Sequence, residues 1–572
     1  MPNLLAMSFE GELAPSFTLH CLDAGRTLPD GWGLGYYPAG EPSSAILKEP
    51  APPQGSIRSQ LALAWEQVAS SLFVLHIRHA TWGSLSDANT QPFSRAWGRR
   101  DWLFAHAGSL DKKLAEVAGP FEPIGSTDTE QLFCALLNKL FAMQWKSLAD
   151  AELDTIIKWL GELNEQGGMT MCVTDGRDLL VHADRRGAPM WIGELAPPYE
   201  KITFGDEDLE IDLTKRGAKA RKGMIVCTDQ LGALAGDAKT AMKWRRLAPG
   251  ELLVIREGAV IEQRSTGEAI HRNTVPRLPG RVEPRTYDIF HRTVYRYTKP
   301  IERSLHVLRL TPYHDRYQQL RSHDLTISVS GSSRDYEDVF GNRVKRLNIE
   351  SSFSEMVIEA RSTVQLLDVD PLGFGPLRVS STIPLVWMPW QRQVLDPFLL
   401  PPELPETELA ELVEYAMSFV KRNDYDLLDT LLDINQTIYK EYTYLQNSTT
   451  LTTTPFEVYV NRRGVCQDFT NLMICLARLL GVPARYVCGY IYTGPKAQNT
   501  AQSEASHAWV QLYLPQIGWN GFDPTNGILT QTEHVRVAVG RNYLDATPTS
   551  GTIFVGGGGE TLSVDVKVEP HA

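Results

Sequence analysis

"GVCQDFTNLMICLARLLGVPARYVCGY" (residues 464–490) contains the pattern of a helix followed by a strand. After Cys466, apolar residues recur at spacings of three and four, which predicts a buried helix, and Gly481 and Pro483 predict its end. The following β-branched and aromatic residues predict a strand. We therefore expect Cys466 at a helix N-terminus, where unsatisfied N–H groups stabilise a thiolate and can bind an oxyanion.

Cys466 by itself supports two interpretations. Cysteine is also a common small residue of protein cores, and a cysteine at a helix end needs no chemical role. A nucleophilic thiol needs a base that takes its proton and a carboxylate that orients the base. The question is therefore whether the rest of the chain supplies both groups.

Two later segments contain a histidine and an aspartate in suitable places. "EASHAWVQLYL" predicts a strand that begins at His507, and "GWNGFDPTNG" predicts a short strand that ends at Asp523, before Pro524. Neighbouring strands of a hairpin would bring the two side chains together. Each residue also has an ordinary interpretation, His507 as a core histidine and Asp523 as a turn aspartate before a proline.

Three stretches occur in the order typical of one family: "GVCQDFTNLMICLARLLGVPARYVCGY", "ASHAWVQLYLPQIGWNGFDPTNG" and "HVRVAVGRNYLD". They resemble the catalytic core of the bacterial transglutaminase-like superfamily. The earlier stretches "YDIFHRTVYRYTKPIERSLHVLRLTPY" and "DVFGNRV" resemble the β-sandwich domain that accompanies this core. The resemblance covers residues 285 to 570.

This resemblance implies a papain-like fold in which Cys466 is the nucleophile, His507 the general base and acid, and Asp523 the orienting carboxylate. The implied chemistry is acyl transfer through a thioester. An amine acceptor would give transamidation and water would give deamidation or proteolysis, and the residues leave this choice open. Tyr442 or Tyr444 is a candidate donor to the oxyanion, with ordinary packing as the alternative for each.

The N-terminal half carries a second set of motifs, "LLAMSF", "DGWGLGYY", "HIRHATWG", "NTQPF", "WLFAHAG", "GSTDTEQLF" and "WRRLAPGELLVI". In this order they resemble the class II glutamine amidotransferases, which use an N-terminal cysteine as nucleophile. The implied fold is the αββα arrangement of the N-terminal nucleophile (Ntn) hydrolases.

Several positions depart from that family's pattern. Pro2 stands where the nucleophilic cysteine is expected, and Ala107 stands where an oxyanion-hole asparagine is usual, so that only the Gly108 backbone remains. Gln91 replaces a histidine and Thr129 a serine. Because loss of a nucleophile and of an oxyanion donor each costs orders of magnitude in rate, we predict that this half does not hydrolyse glutamine.

The positions that bind substrate in this family are better retained than those of the nucleophile and the oxyanion hole. Arg78 and Asp128 occupy positions that, by resemblance, hold the α-carboxylate and the α-amine of glutamine. A glutamine-like ligand, a scaffolding role for the second half, or structural inheritance alone would each explain this domain. A catalytic role of the Pro2 amine is a further alternative.

The predicted fold class is a multidomain α+β protein. We predict an amidotransferase-like domain at 1–270, a linker at 271–285 that is rich in proline and charge, a β-sandwich at 286–400, and a transglutaminase-like core with a closing C-terminal strand at 401–572.

Composition limits the partners and the compartment. The formal net charge is −12 and no basic stripe interleaved with aromatic residues occurs, which argues against nucleic acid. The absence of a long apolar run or a signal-peptide pattern favours a cytoplasmic protein without a membrane partner. The seven cysteines form no CxxC pair, so neither a disulfide framework nor a zinc site is expected.

The leading hypothesis from sequence is a thiol-dependent acyltransferase or peptidase that acts on a peptide or isopeptide amide of a peptide or protein substrate and needs no metal or cofactor. The alternatives are a non-catalytic binding or assembly protein, and an amidotransferase that feeds ammonia to a partner, with Cys21 as the only nearby replacement nucleophile. The oligomeric state is not indicated by the sequence.

Overall fold

The computed structural model divides the chain into two compact units, Met1–Thr274 and Val275–Ala572. Pro2, Cys21 and residues 271–282 of the expected linker lie outside the described residues. The structure describes residues 3–19, 28–40, 42–53, 58–59, 68–79, 84–110, 114, 118–206, 208–214, 221–237, 241–265, 269–270, 283–367, 381–446, 448, 450, 452–494, 506–515 and 517–571.

The first unit is rich in antiparallel strands. Its elements are β1 (Leu4–Leu13), β2 (Ser16–Leu19), β3 (Gly31–Tyr36), β4 (Ala45–Glu49), β5 (Ser70–Arg78), β6 (Phe93–Trp97), β7 (Arg100–Ala107), α1 (Asp128–Ala142), α2 (Leu153–Asn164), β8 (Thr170–Thr174), β9 (Leu179–His182), β10 (Trp191–Leu195), β11 (Ile202–Gly205), β12 (Leu209–Asp212), β13 (Gly223–Cys227), β14 (Gly232–Gly236), β15 (Met242–Arg246), β16 (Leu252–Arg256), β17 (Ala259–Arg264) and β18 (Ala269–Ile270).

Two seven-stranded sheets form the centre of this unit. Their strand orders are β15-β10-β13-β1-β5-β3-β4 and β18-β17-β16-β9-β8-β7-β6. The sheets pack face to face, because buried residues of both, such as Ala6 and Val74 of the first and Ala105 and Val181 of the second, share one apolar cluster.

The outer faces of the two sheets are covered differently. Helices α1 and α2 pack on the second sheet through Leu136 and Leu160. The four-stranded sheet β14-β11-β12-β2 packs on the first sheet, with Phe204 in the same cluster as Phe9. The described residues thus show one helical layer, and the second helical layer of the αββα arrangement stays a prediction.

The second unit continues the numbering. Its elements are β19 (Arg285–Leu308), β20 (Gln318–Ile327), β21 (Ser332–Glu337), β22 (Arg343–Ile349), β23 (Phe353–Leu366), α3 (Pro389–Leu399), α4 (Glu406–Arg422), α5 (Leu427–Glu441), β24 (Thr443–Tyr444), α6 (Pro455–Asn461), β25 (Arg463–Gly464), α7 (Cys466–Leu479), β26 (Ala484–Ile491), β27 (His507–Leu514), β28 (Gly518–Asp523), β29 (Ile528–Leu529), β30 (His534–Gly540), α8 (Tyr543–Ala546), β31 (Thr549–Gly556) and β32 (Glu560–Pro570).

The long strand β19 organises the β-rich part of this unit. It pairs with β22 and β23 and also with the C-terminal strands β31 and β32. The closing strand expected for the 401–572 core therefore belongs to the sheet of the preceding segment. A period-two pattern predicts a strand but does not choose its partner, which explains the difference. The division of these strands into a sandwich stays a prediction.

The core that follows pairs helices with the antiparallel sheet β29-β28-β27-β26-β30. Helix α7 lies at the centre of this core. Its residues Leu472 and Leu476 share one apolar cluster with Phe419 of α4, Leu431 of α5 and Val510 of β27. This packing holds the N-terminus of α7 against the strands that carry the candidate histidine and aspartate.

Residues 406–441 are divided into two helices, α4 and α5. The break falls at Asp424 and Tyr425, which both have left-handed backbone angles, with φ of 55° and 63°. Helix α3, in the proline-rich stretch before them, was not expected; Pro389 occupies its first turn, where proline is tolerated.

Candidate functional site

A fixed turn places Cys466 at the start of α7. The backbone N–H of Val465 donates to Asp468 Oδ2 at 2.8 Å, which caps the helix. A Cβ on Gly464 would lie 2.8 Å from Asp468 Cβ, so a larger residue would push the capping carboxylate away. Cys466 is half-buried, whereas Cys475 on the same helix is fully buried.

The neighbouring strands β27 and β28 bring His507 and Asp523 into contact. The two strands are antiparallel, with Val510 opposite Phe522. The Nε2 atom of His507 lies 2.9 Å from Oδ2 of Asp523. His507 is 2% exposed and Asp523 is 0% exposed, so water does not compete for this bond.

Cys466 lies close enough to His507 to contribute to the pKa of its ring. Nε2 of His507 is bonded to Asp523, which leaves Nδ1 as the ring nitrogen available to the thiol. Burial lowers the pKa of His507, but the charge of Asp523, the bond to it and the contact with Cys466 together raise it to about 10. Burial raises the pKa of Asp523, but the two histidines beside it bring it well below its usual range. The structure thus brings Cys466, His507 and Asp523 together.

Asp523 has more partners than the sequence suggested. Its Oδ1 accepts from the backbone N–H groups of Thr525 and Asn526 at 3.0 and 3.2 Å. Its Oδ2 accepts from Asn526 Nδ2 at 2.7 Å and, beside His507, contacts Nε2 of His534 at 3.0 Å. Sequence reasoning missed His534, although it opens the stretch "HVRVAVGRNYLD". No spacing rule links it to Asp523, because its strand pairs with β26 and not with β28.

The same three side chains offer the donor types of a metal site. One ligand atom from each of His507, Asp523 and His534 lies within 4.8 Å of the others. In the structure these atoms are engaged in the hydrogen bonds just described.

The two candidate oxyanion donors have different surroundings. The hydroxyl of Tyr442 is buried and accepts from Arg462 Nη1 at 2.8 Å, within a cluster that also contains Tyr415. Tyr444 pairs with Gly464, two residues before Cys466, and burial raises its pKa to about 12. The geometry therefore favours Tyr444 over Tyr442.

In the first unit, Arg78 ends β5 and Asp128 begins α1. Arg78 is 4% exposed and its Nη1 donates to the carbonyl oxygen of Ser84 at 3.3 Å. Asn89 donates to the same carbonyl oxygen and accepts from the N–H of Ser126, two residues before Asp128. These hydrogen bonds connect the end of β5, which carries Arg78, to the turn before α1, which carries Asp128. Asn89 was not among the residues expected from the sequence.

The remaining positions of this half surround His106. A Cβ on Gly108 would lie 2.6 Å from the carbonyl oxygen of Gly168 and 2.8 Å from His106 Nε2, so glycine is required. Gln91 Oε1 accepts from the backbone of His106 at 2.7 Å, and Thr129 Oγ1 contacts its Nδ1 at 3.1 Å. Gln91 therefore binds the backbone of His106, and Thr129 contacts its ring. Ala107 ends β7 opposite Thr170.

Three family models match the chain in sequence order. Glutamine amidotransferases class-II matches residues 1–277, the bacterial transglutaminase-like N-terminal region matches 287–365, and the transglutaminase-like superfamily matches 414–524. The chain belongs to the class-II glutamine amidotransferase family through its first half, and its second half matches the transglutaminase-like models. Its first half is a class-II amidotransferase domain and its second half is transglutaminase-like, which confirms both resemblances.

Individual relatives cover one half each. The Mycobacterium bovis protein Mb2599c is 31% identical over 299 residues, which are 50% of this chain and 92% of that protein. The Escherichia coli protein named "Putative glutamine amidotransferase YafJ" is 30% identical over 259 residues, which are 44% of this chain and 96% of that protein. A solved Cytophaga hutchinsonii structure with "Putative Cysteine Protease" in its title is 20% identical, covers 51% of this chain and 92% of its own, and has a TM-score of 0.39.

Membership of the transglutaminase-like superfamily supports thiol-dependent acyl transfer in general terms. The match over 414–524 includes Cys466, His507 and Asp523, whereas His534 lies beyond it. Among the helices of the described residues, none has the length and apolar character needed to cross a membrane.

Proposed function

We propose that this protein is a thiol-dependent acyltransferase or peptidase that acts on an amide of a peptide or protein. Cys466 is the nucleophile, His507 the base and acid, and Asp523 the orienting carboxylate. The observation that carries the proposal is the buried His507–Asp523 pair, with a distance of 2.9 Å, close to the half-buried Cys466 at the start of α7.

The first step forms the thioester. His507 takes the proton of Cys466, and Asp523 stabilises the imidazolium. The thiolate attacks the amide carbonyl, and the N–H groups at the start of α7 are available to the oxyanion. Collapse of the intermediate breaks the C–N bond, and His507 gives its proton to the departing amine or ammonia.

The second step releases the acyl group. His507, now neutral, takes a proton from an amine or from water, and that acceptor attacks the thioester carbonyl. The thiolate leaves and the starting pair is restored. An amine gives an isopeptide or substituted amide, whereas water gives a carboxylate. The substrate is proposed to be a peptide or protein, and the acceptor is the variable that the experiment below resolves.

For the first half we propose a role in ligand binding or scaffolding and no glutaminase activity. The support is chemical: no cysteine follows Met1, and Ala107 offers no side-chain donor. The retained Arg78 and Asp128 make a glutamine-like ligand the first to test. A cytoplasmic location is part of the proposal, supported by the six described cysteines, which are all unpaired thiols as in a reducing compartment.

The test is mass spectrometry of glutaminyl peptides incubated with the full chain, with and without a primary amine. Cys466→Ala is the inactive control, and Cys475→Ala, on the same helix but buried away from the site, is the matched control. Amine-linked, deamidated or cleaved peptides that disappear only in Cys466→Ala would support the proposal and identify the acceptor. Products that persist in Cys466→Ala would refute it.

The same preparation tests the rival roles. Release of ammonia from free glutamine that survives Cys466→Ala would contradict an inactive amidotransferase half, and its loss in Cys21→Ala would identify the replacement nucleophile. Absence of every Cys466-dependent product, together with binding of glutamine that Arg78→Ala abolishes, would favour the non-catalytic binding protein.

A further inference from the structure

The strand β30 begins with a histidine whose side chain reaches the candidate triad. In the sheet order β29-β28-β27-β26-β30, its strand lies three places from the strand of Asp523. Nε2 of His534 is nevertheless 3.0 Å from Oδ2 of Asp523, the oxygen that Nε2 of His507 contacts at 2.9 Å. His534 is 4% exposed, so two buried imidazoles meet at one carboxylate oxygen.

The hydrogens on the two rings follow from their partners. An ionised carboxylate only accepts hydrogen bonds, so both Nε2 atoms donate to Oδ2 of Asp523. Nδ1 of His534 is buried and has no hydrogen-bond partner among the described residues, and the Trp509 ring lies edge-on to His534 at a centroid distance of 5.2 Å. Nε2 is therefore the ring nitrogen through which His534 contacts a polar group.

This arrangement separates the tasks of the two histidines. His507 donates to Asp523 through Nε2 and has Nδ1 left for Cys466. His534 donates to the same oxygen through Nε2 and has no described contact with the thiol. Its bond holds the carboxylate in place and adds a donor that keeps this buried group ionised.

We propose that His534 is a positioning residue that acts on Cys466 through Asp523 and His507, so that the working unit is a chain of four residues. This inference rests on the proposed function of Cys466. Asn526 and the two backbone N–H groups still hold Asp523 without His534, so its loss loosens the carboxylate and does not remove it. The ionisable groups that face the carboxylate in the described structure are His507 and His534, with Cys466 beyond His507.

The experiment follows the alkylation of Cys466 by iodoacetamide between pH 5.5 and 9, with quantification of the Cys466 peptide by mass spectrometry. It needs no known substrate. His534→Phe keeps the ring volume and lacks a donor, whereas His534→Gln keeps an N–H at the place of Nε2. His507→Gln in the same chain tests the thiol–imidazole pair itself. Thermal unfolding verifies that each variant is folded, and His534→Leu replaces the Phe variant if that one is not.

We expect His534→Phe to slow alkylation below pH 7 by about 10- to 100-fold, the range for loss of a hydrogen bond to a charged group. The alkylation rate of His534→Gln should stay within about threefold of the parent rate. In a chain that already carries Asp523→Asn, His534→Phe should cause no further decrease of this rate. At pH 9, where thiols ionise without help, the parent and the variants should converge.

Each result bears on one level of the inference. Unchanged alkylation in His534→Phe together with a slowed His507→Gln overturns the role of His534 and leaves the proposed function standing. An alkylation rate of Cys466 that is unchanged in His507→Gln contradicts the proposed function. Equal loss in His534→Gln and His534→Phe, or an additive loss in the Asp523→Asn background, shows that His534 acts through packing and contradicts positioning through the carboxylate.

Discussion

Replacing Asp523 with asparagine removes a buried negative charge and keeps the shape of the side chain. The new amide retains an oxygen for the backbone N–H groups of Thr525 and Asn526, so the loop after β28 should persist. The change falls on His507, because the charge of Asp523 is the main influence that raises the pKa of this buried ring. Without that charge, burial dominates and lowers the pKa of His507 below its ordinary value of 6.5.

The magnitude follows from proton linkage. In the parent protein the pKa of His507 is about 10 when folded, against 6.5 when unfolded. Below pH 6.5 both states bind the proton and the stabilisation is complete, on the order of 5 kcal/mol. Between pH 6.5 and 10 only the folded state keeps the proton, so the free energy of unfolding falls by about 1.4 kcal/mol per pH unit. The advantage of the parent over Asp523→Asn should therefore shrink by about 3 kcal/mol from pH 7 to pH 9.

The assay must report on the C-terminal half alone, because the chain divides into two compact units and a multidomain protein need not unfold in one transition. Cys475 is fully buried in the core of α7 and offers such a probe. After equilibration in urea at each pH, a brief maleimide pulse labels Cys475 only in unfolded molecules, and mass spectrometry measures the labelled fraction. Asp335→Asn, whose side chain is 71% exposed on β21, is the matched control and should show no such trend. A stability difference that is constant from pH 7 to 9 would refute the assigned charge on His507.

Three further outcomes are expected in the same half. Arg462→Met should lower the free energy of unfolding by about 3 kcal/mol in the Cys475 pulse assay, because Arg462 is a buried guanidinium within 4.9 Å of three tyrosine rings. The exposed control Arg463→Met should lower it by less than about 0.5 kcal/mol. Equal losses in the two variants would contradict this prediction. Tyr444→Phe should lower the rate of peptide acyl transfer by about tenfold or more. Tyr442→Phe should leave this rate unchanged and lower the free energy of unfolding by about 1 kcal/mol. The reverse pattern in the two assays would exclude Tyr444 as the oxyanion donor. Asp468→Ala should cost about 1 to 2 kcal/mol through loss of the cap on Val465, measured by urea unfolding, and no loss would show that the cap contributes nothing.

The sequence predicted the local elements of the site well. Apolar spacing predicted the helix that starts at Cys466, and its end at Leu479 agrees with the expectation from Gly481 and Pro483. The alternation around His507 and the proline after Asp523 predicted two strands, and a hairpin joins them in the structure. These features depend on neighbouring residues along the chain, which is why pattern and spacing were sufficient.

Features that depend on distant pairing were not predictable in the same way. The apolar alternation near the C-terminus indicated a strand, but the choice of β19 as its partner comes from packing of Val566 against Tyr287 and Ile289. The break between α4 and α5 was missed because Asp424 and Tyr425 adopt left-handed backbone angles that no glycine marks.

By itself, the sequence determined that the chain combines amidotransferase-like and transglutaminase-like halves and that a cysteine stands at a helix N-terminus. Only the tertiary structure decided that Asp523 faces two histidines, that Tyr442 belongs to the Arg462 cluster while Tyr444 pairs with Gly464, and that the last strands return to β19. The reason is physical: helix and strand patterns are set by residues a few positions apart, whereas the contacts of a buried carboxylate are set by which strands lie side by side after the core has packed.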